Sequence, residues 1–355
     1  MPIIYLDNAA TTRPLSIAIN AFNSTTAYGN PSSAHFCGER ARFWLEDARN
    51  RIAKCIGAKP EEVFFVSGAT EGCAAVLRTL HDAGYYIEES PFEHHAVSEN
   101  IPHPKGDRIC DTKAFATMLV NNETGEIFTP KKENGFQKLF CDLTSAIGHI
   151  PVDVNDLGID YGVFSAHKFG GFPGIGCVYA REGVPLEPMI YGGGQERGFR
   201  AGTESVALAC TMAAALEWQC EHMESNMTHV HELNDLMCGL LIISGTDLLF
   251  NFREGMELSP YILNVSFPGV EGSALALMLS NEGVMVSTGA ACTTGDNAPS
   301  HVLMAMYGDE VRARSAIRIS FSHENTKEEV KTAAEKIVEC VQRLRGLGRI
   351  NLVEL

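Results

Sequence analysis

Lys168 lies in the run Phe164-Ser165-Ala166-His167-Lys168-Phe169, and Gly170, Gly171, Gly174 and Gly176 follow it. An amine just past an apolar strand and before a glycine-rich turn is displayed on a rigid platform. Desolvation lowers the ammonium pKa and makes such a lysine a Schiff-base nucleophile. Taken alone, the pattern equally describes a surface lysine in a glycine loop. Upstream, Leu139-Phe140-Cys141-Asp142 is an apolar strand ending in a carboxylate, at the strand edge where open α/β sheets place ligands. Asp142 alone also reads as a helix N-cap. Ser67-Gly68-Ala69-Thr70 stands between a strand and a helix, where backbone N–H groups and the helix dipole converge on an anion or simply cap the helix. No GxxxxGK[ST] run accompanies it, so it is not a Walker loop. An amine for an aldehyde, a carboxylate that keeps a ring nitrogen protonated and an anion cradle together fit pyridoxal 5'-phosphate (PLP).

Other chemistry-bearing residues carry less. His222, His229 and His231 do not share a helix face as i and i+2, which argues against a metal site, and no metal is expected. Arg40, Arg42, Arg49 and Arg51 alternate with Glu39, Glu46 and Asp47 and read as a solvated helix face. Cys292, between Gly289 and Gly295, suits a mobile loop, yet by itself it is an ordinary thiol among eleven.

These residues need a scaffold, and the rest of the chain describes one. Its 355 residues are 45% hydrophobic and 20% charged, which rules out intrinsic disorder and permits a large core. Lys and Arg total 28 against 44 Asp and Glu, a formal charge of −16 that makes nucleic acid an unlikely partner. No apolar run is long enough to span a membrane. An odd cysteine count, no CxxC pair and no signal-peptide pattern after Met1 imply free thiols in a reducing cytoplasm.

Short apolar runs alternate with helix-length segments, an α/β pattern. Strands are expected at 63–66, 85–88, 117–120, 138–141, 161–165 and 176–180, with helices at 37–57 and 204–223. Further strands are expected at 262–267, 284–287 and 316–321. A last helix begins at Thr326, with Glu329 completing a capping box. The texture changes near residue 225.

Several blocks together resemble cysteine desulfurases of the NifS/IscS type, in class V of the PLP-dependent enzymes. They are Tyr5-Leu6-Asp7-Asn8-Ala9-Ala10-Thr11-Thr12, Gly29-Asn30-Pro31-Ser32-Ser33, Glu93-His94, Val120-Asn121-Asn122-Glu123, Gly192 to Thr203 and Ser287-Thr288-Gly289-Ala290-Ala291-Cys292-Thr293-Thr294. The resemblance runs from residue 4 to about 345. It implies fold type I: a large αβα domain with a mostly parallel sheet at 13–225, and a smaller α+β domain at 1–12 and 226–355 carrying the cysteine loop. Lys168 would carry PLP and move protons at the substrate Cα, Asp142 would pair with the ring nitrogen, and His94 would stack on the ring. Ala69, Thr70, Ser165 and His167 would hold the phosphate, with Thr203 reaching in from the second subunit of a homodimer. Asn122 and Arg318 would bind the substrate carboxylate, a task that suits the guanidinium fork. Cys292 would take sulfur from L-cysteine as a persulfide, releasing alanine, and pass it to an acceptor protein such as an iron–sulfur scaffold or a thiolation protein.

The chain departs from the family pattern after Asp142, where Leu143-Thr144-Ser145 replaces Ala-Thr-Gln. Ser145 falls short of the ring oxygen that the Gln reaches, leaving room for a water, and Leu143 is expected to crowd the ring. The run from His94 to Asn122 is also shorter than in the family. Three other readings compete: a selenocysteine lyase or cysteine sulfinate desulfinase, a class V aminotransferase, and a low-activity paralogue acting mainly as a partner-binding protein.

Overall fold

The computed structural model describes residues 3–25, 28–102, 112–132, 135–288 and 298–350. The chain forms two compact units: Thr12–Val120 with Phe128–Met223, and Met1–Thr11 with Asn121–Ile127 and Glu224–Leu355. The expected division, 13–225 against 1–12 with 226–355, does not place Asn121–Ile127 in the smaller unit, where it belongs. The chain enters with β1 (Ile4–Tyr5), part of that smaller unit.

The larger unit then adds α1 (Ser16–Ser24), α2 (Phe36–Cys55), β2 (Val63–Val66), α3 (Ala69–Asp82), β3 (Tyr86–Glu89) and α4 (His95–Ser98). Next come β4 (Lys113–Met118), β5 (Phe136–Asp142), β6 (Tyr161–Ser165) and β7 (Gly176–Ala180). The six strands form one sheet in the order β2-β7-β6-β5-β4-β3. β7 runs antiparallel to both neighbours, and the other pairs are parallel. Since β2 and β6 both oppose β7, five strands share one direction and end at one edge of the sheet. β6 and β7 are buried along their whole length, as strands covered on both faces must be.

The helices follow their apolar spacing. Ala41, Leu45, Ala48 and Ile52 give α2 its buried stripe, and the His35 ring accepts the Gly38 N–H at its start. α3 lies so close to the sheet that a Cβ at Gly72 would come within 2.9 Å of Val163. α5 (Val206–Ile243) starts in the larger unit and continues into the smaller one. The expected end at residue 223 is therefore twenty residues early. Val230, Leu233, Met237 and Leu241 keep a helical apolar period and enter the core of the smaller unit.

The smaller unit continues with β8 (Leu249–Phe250), β9 (Ile262–Ser266), α6 (Gly272–Asn281), β10 (Val284–Met285), α7 (His301–Tyr307), α8 (Glu310–Arg314), β11 (Ala316–Ser320) and α9 (Lys327–Ile350). β11, β9 and β8 form an antiparallel sheet, and β1 pairs with β10 in parallel. α9 starts with the expected box: Thr326 accepts from the Glu329 N–H, and the Glu329 carboxylate accepts from the Thr326 N–H. No helix among the described residues is long and apolar enough to cross a membrane.

Candidate active site

Lys168 ends a short 3₁₀ turn, Ala166–Lys168, that leaves the carboxyl end of β6. Two side-by-side segments hold this turn. The Thr12 N–H and hydroxyl both donate to the His167 carbonyl at 2.9 Å, and the Gly170 N–H donates back to the Thr12 hydroxyl at 2.8 Å. The Leu15 N–H then donates to the Gly170 carbonyl. Gly170 has φ +92°, and a Cβ there would lie 2.5 Å from Leu15 Cγ, so the position requires glycine. Thr12 is thus the clamp of the lysine turn. Sequence reasoning quotes it in a motif but assigns it no task, because its partners lie far along the chain. Burial, with the Lys168 charge beside it, pushes the His167 imidazole down to about 4, so it is neutral near pH 7.

Asp142 ends β5 at the same sheet edge and is 7% exposed. Its Oδ1 accepts the Thr144 N–H at 2.8 Å, so the capping reading of Asp142 is also satisfied locally. Among the described residues no Lys, Arg or His forms an ion pair with it. Glu93, fully buried, is held well above the usual carboxylate range by burial first and by the Asp142 charge second. Burial therefore disfavours the charged form of Glu93. A buried carboxylate without a cation is costly, and a protonated ring nitrogen is the group that would balance it. The Thr144 hydroxyl beside it is buried without a hydrogen-bond partner, a second polar atom suited to a ligand. These observations fit PLP.

His94 precedes α4, and its Nδ1 accepts the Ala96 N–H at 3.0 Å, which fixes the ring and places its proton on Nε2 in the neutral form. Leu143 departs from expectation. It is completely buried, and its Cδ1 lies 2.8 Å from where a Cβ of Gly162 would stand. Strand alternation puts Leu143 with Gly162 on one face, and Asp142 with Val163 and α3 on the other. Gly162 makes the room for Leu143, and the face bearing Asp142 is not crowded by it. Ser145 is half-buried in the turn that follows.

The anion cradle forms where β2 ends. α3 begins at Ala69 and Thr70 with Gly68 as an N-cap that has no side chain to occupy its free N–H groups. Val66 and Ser165 both pair with Gly176, which brings β2 and β6 to one point. A Cβ at Gly176 would strike Gly68 Cα at 2.8 Å, and one at Gly68 would meet Ser165 Oγ at 3.7 Å. The Ser165 hydroxyl therefore lies next to the uncapped helix start.

β2 is an edge strand, and the loop bearing Thr203 covers that edge. The Phe65 N–H donates to Glu196, while Arg49 and Arg197 donate to the Val63 carbonyl. Arg49 and Glu196 form a two-pronged ion pair at 2.8 Å with each side chain 2% exposed. This overturns the solvated-face reading of Arg49, because its partner comes from 147 residues along the chain. Glu196 and Arg197 sit at φ +47° and +56°, a strained conformation held by these bonds. Arg200 pairs with Glu71 of α3 at 3.0 Å, which ties the same loop to the cradle. Thr203 itself is exposed.

In the smaller unit Arg318 lies on β11, 6% exposed. Its Nη1 donates to the Asn122 carbonyl at 2.8 Å, and its Nη2 pairs with Asp7 at 3.0 Å. Its Nε is buried without a hydrogen-bond partner and remains available to an acceptor. Backbone bonds in both directions with Ser287 fix the strand at that point. Asn121, not Asn122, builds the local turn: its Oδ1 accepts from the Glu123 and Thr124 N–H groups. Asn122 is left half-buried with its side chain outside that turn. Cys292 lies outside the described residues.

A mostly parallel sheet with one reversed strand, with Lys168 and Asp142 brought to one edge, matches the PLP-dependent enzymes of fold type I. Residues 4–109 and 106–332 match the family of class-V aminotransferases, which depends on PLP. The chain belongs to this family and, within it, to the cysteine desulfurases. It is 37% identical to the putative cysteine desulfurase IscS 1 of Bacillus subtilis (strain 168), across 97% of this chain and all of that protein. It is 35% identical to the cysteine desulfurase IscS of Dictyoglomus turgidum, across 97% of this chain and 96% of that one. A solved NifS-like protein superposes with a TM-score of 0.86 at 34% identity, over 96% of this chain and 100% of the other.

Proposed function

We propose that this chain is a PLP-dependent cysteine desulfurase that takes sulfur from L-cysteine as a persulfide on Cys292 and leaves L-alanine. The observation that carries the reading is the pairing of a clamped Lys168 turn with a buried, cationless Asp142 at one sheet edge, in a member of this family. PLP bound there supplies an electron sink that acidifies the substrate Cα–H. Lys168 Nζ would anchor the cofactor and, when free, would take and return the proton at the substrate Cα. Asp142 would keep the ring nitrogen protonated, and His94 would stack on the ring. Ala69, Thr70, Ser165 and neutral His167 would hold the phosphate, and Ser145 would reach the ring oxygen only through a water. Arg318 and Asn122 bind the substrate carboxylate; the open Nε of Arg318 supports this role.

The sulfur step is carried by Cys292. Its thiolate attacks the substrate sulfur, an S–S bond forms, and the C–S electron pair returns to carbon, which ends protonated in alanine. An acceptor protein, an iron–sulfur scaffold or a thiolation protein, then removes the outer sulfur. The charge of −16 speaks against nucleic acid as the direct acceptor. Free thiols among the described cysteines support a reducing cytoplasm.

Thr203 acts from a second copy in this account, so the working unit is a homodimer. The larger unit offers apolar surface for one: α1 buries Ala18 but leaves Ile17, Ile19 and Phe22 largely exposed, as are Tyr28, Phe36 and Phe43. The purified protein should absorb near about 400–430 nm, and Lys168→Ala should abolish that band. A band unchanged in the variant removes Lys168 from the cofactor.

A further inference from the structure

Cys55 and Cys220 stand outside everything assigned to the active site. Cys55 is the last residue of α2, and Cys220 lies on α5, both within the larger unit. The two helices meet along a regular seam. Cys210 donates to the Trp44 carbonyl at 3.7 Å, and Arg51 donates to Glu217 at 2.6 Å. Each advance along α2, from Trp44 to Arg51, is matched by an equal advance along α5, from Cys210 to Glu217. The helices are therefore parallel neighbours, and one turn further on they bring Cys55 against Cys220. There the two thiols interact directly with one another. Both residues are partly exposed, so a small reagent can reach them.

The pair differs from the three thiols at the centre of this unit. Cys73, Cys141 and Cys177 are completely buried and their thiols are held well above the usual range by burial, which makes them inert. The interaction with Cys55 pulls Cys220 below the ordinary thiol value, while the same interaction and burial raise Cys55. Cys55 also ends a helix, where the dipole disfavours a thiolate. One sulfur is thus set up to attack and its neighbour to resolve.

We propose that Cys55 and Cys220 form a reversible dithiol–disulfide site that exchanges with low-molecular-weight disulfides. The Cys220 thiolate attacks one sulfur of the small disulfide, whose S–S bond breaks and releases one thiol. The Cys55 sulfur, losing its proton, then attacks Cys220 in the mixed disulfide and releases the second thiol. Two protein thiols are oxidised, one small disulfide is reduced to two thiols, and α2 becomes covalently joined to α5.

The test uses the holoprotein equilibrated in buffers of graded glutathione disulfide to glutathione ratio. After acid quenching and alkylation, peptides are mapped by mass spectrometry without reduction. A peptide containing Cys55 should appear joined to one containing Cys220, lighter by two hydrogens than the free pair, and its fraction should rise with the ratio and fall on reversal. Cys55→Ser, nearly isosteric, should instead trap glutathione on Cys220. Alkylation of both residues at every ratio, separate glutathione adducts without a link, or pairing of either residue with another cysteine would each overturn the proposal.

Discussion

Glu93 lies fully buried, where the Asp142 carboxylate acts on it. Burial and the Asp142 charge raise Glu93, so its proton stabilises the fold most at low pH, and that contribution fades as pH rises through the raised native value. Glu93→Gln removes this dependence. Its urea midpoint should exceed that of the natural chain increasingly as pH rises above the ordinary carboxylate range; parallel pH profiles would contradict the upward shift of Glu93. Arg318→Lys keeps the charge but loses the fork. We expect kcat/KM for L-cysteine to fall about 10- to 100-fold, mainly through KM, with the cofactor band unchanged. At this scale the sheet-edge placement of Asp142 and of the turn bearing Lys168 was legible in the sequence, because each follows an apolar strand. Arg49 was not, since its local charge pattern is that of a surface helix and Glu196 is remote in sequence. Leu143 looked obstructive because only the partner strand reveals the space left by Gly162.

Elements hold these residues through close backbone approach. Gly170→Ala would strain a backbone at φ +92° and drive a methyl into Leu15, breaking the Thr12 clamp. A loss of about 2–4 kcal/mol in unfolding free energy is expected, together with weaker cofactor retention, by denaturant titration and by absorbance. Removing one partner of a fully buried ion pair costs about 3–5 kcal/mol, so Arg49→Met should be severe. Arg49→Met combined with Glu196→Gln should recover part of that loss; a double variant as unstable as the sum would contradict the pairing. Most strands of the sheet were readable from short apolar runs. β4 was placed late, because its apolar run continues past the strand through Leu119 and Val120. The Thr12 clamp was invisible, since a hydroxyl that bridges two backbone groups leaves no periodicity.

At the scale of the molecule, two units share a chain that passes between them more often than the sequence suggests. The change of texture near residue 225 marks where α5 enters the smaller unit, but Asn121–Ile127 carries no compositional sign of its membership. Its place follows from long-range bonds, such as the Asn122 carbonyl to Arg318 and Glu126 to Arg253. The exposed apolar side chains of α1 and α2 predict a dimer in solution by sedimentation equilibrium, with Phe36→Glu and Phe43→Glu together shifting it toward monomer. The central claim is desulfuration by a cysteine nucleophile. Alanine and sulfide measured together from L-cysteine, with reductant present, test it most directly. Equal yields of both from the natural chain, lost in Cys292→Ala while the cofactor band persists, are predicted. Pyruvate in place of alanine, or undiminished sulfide release by Cys292→Ala, would contradict the account.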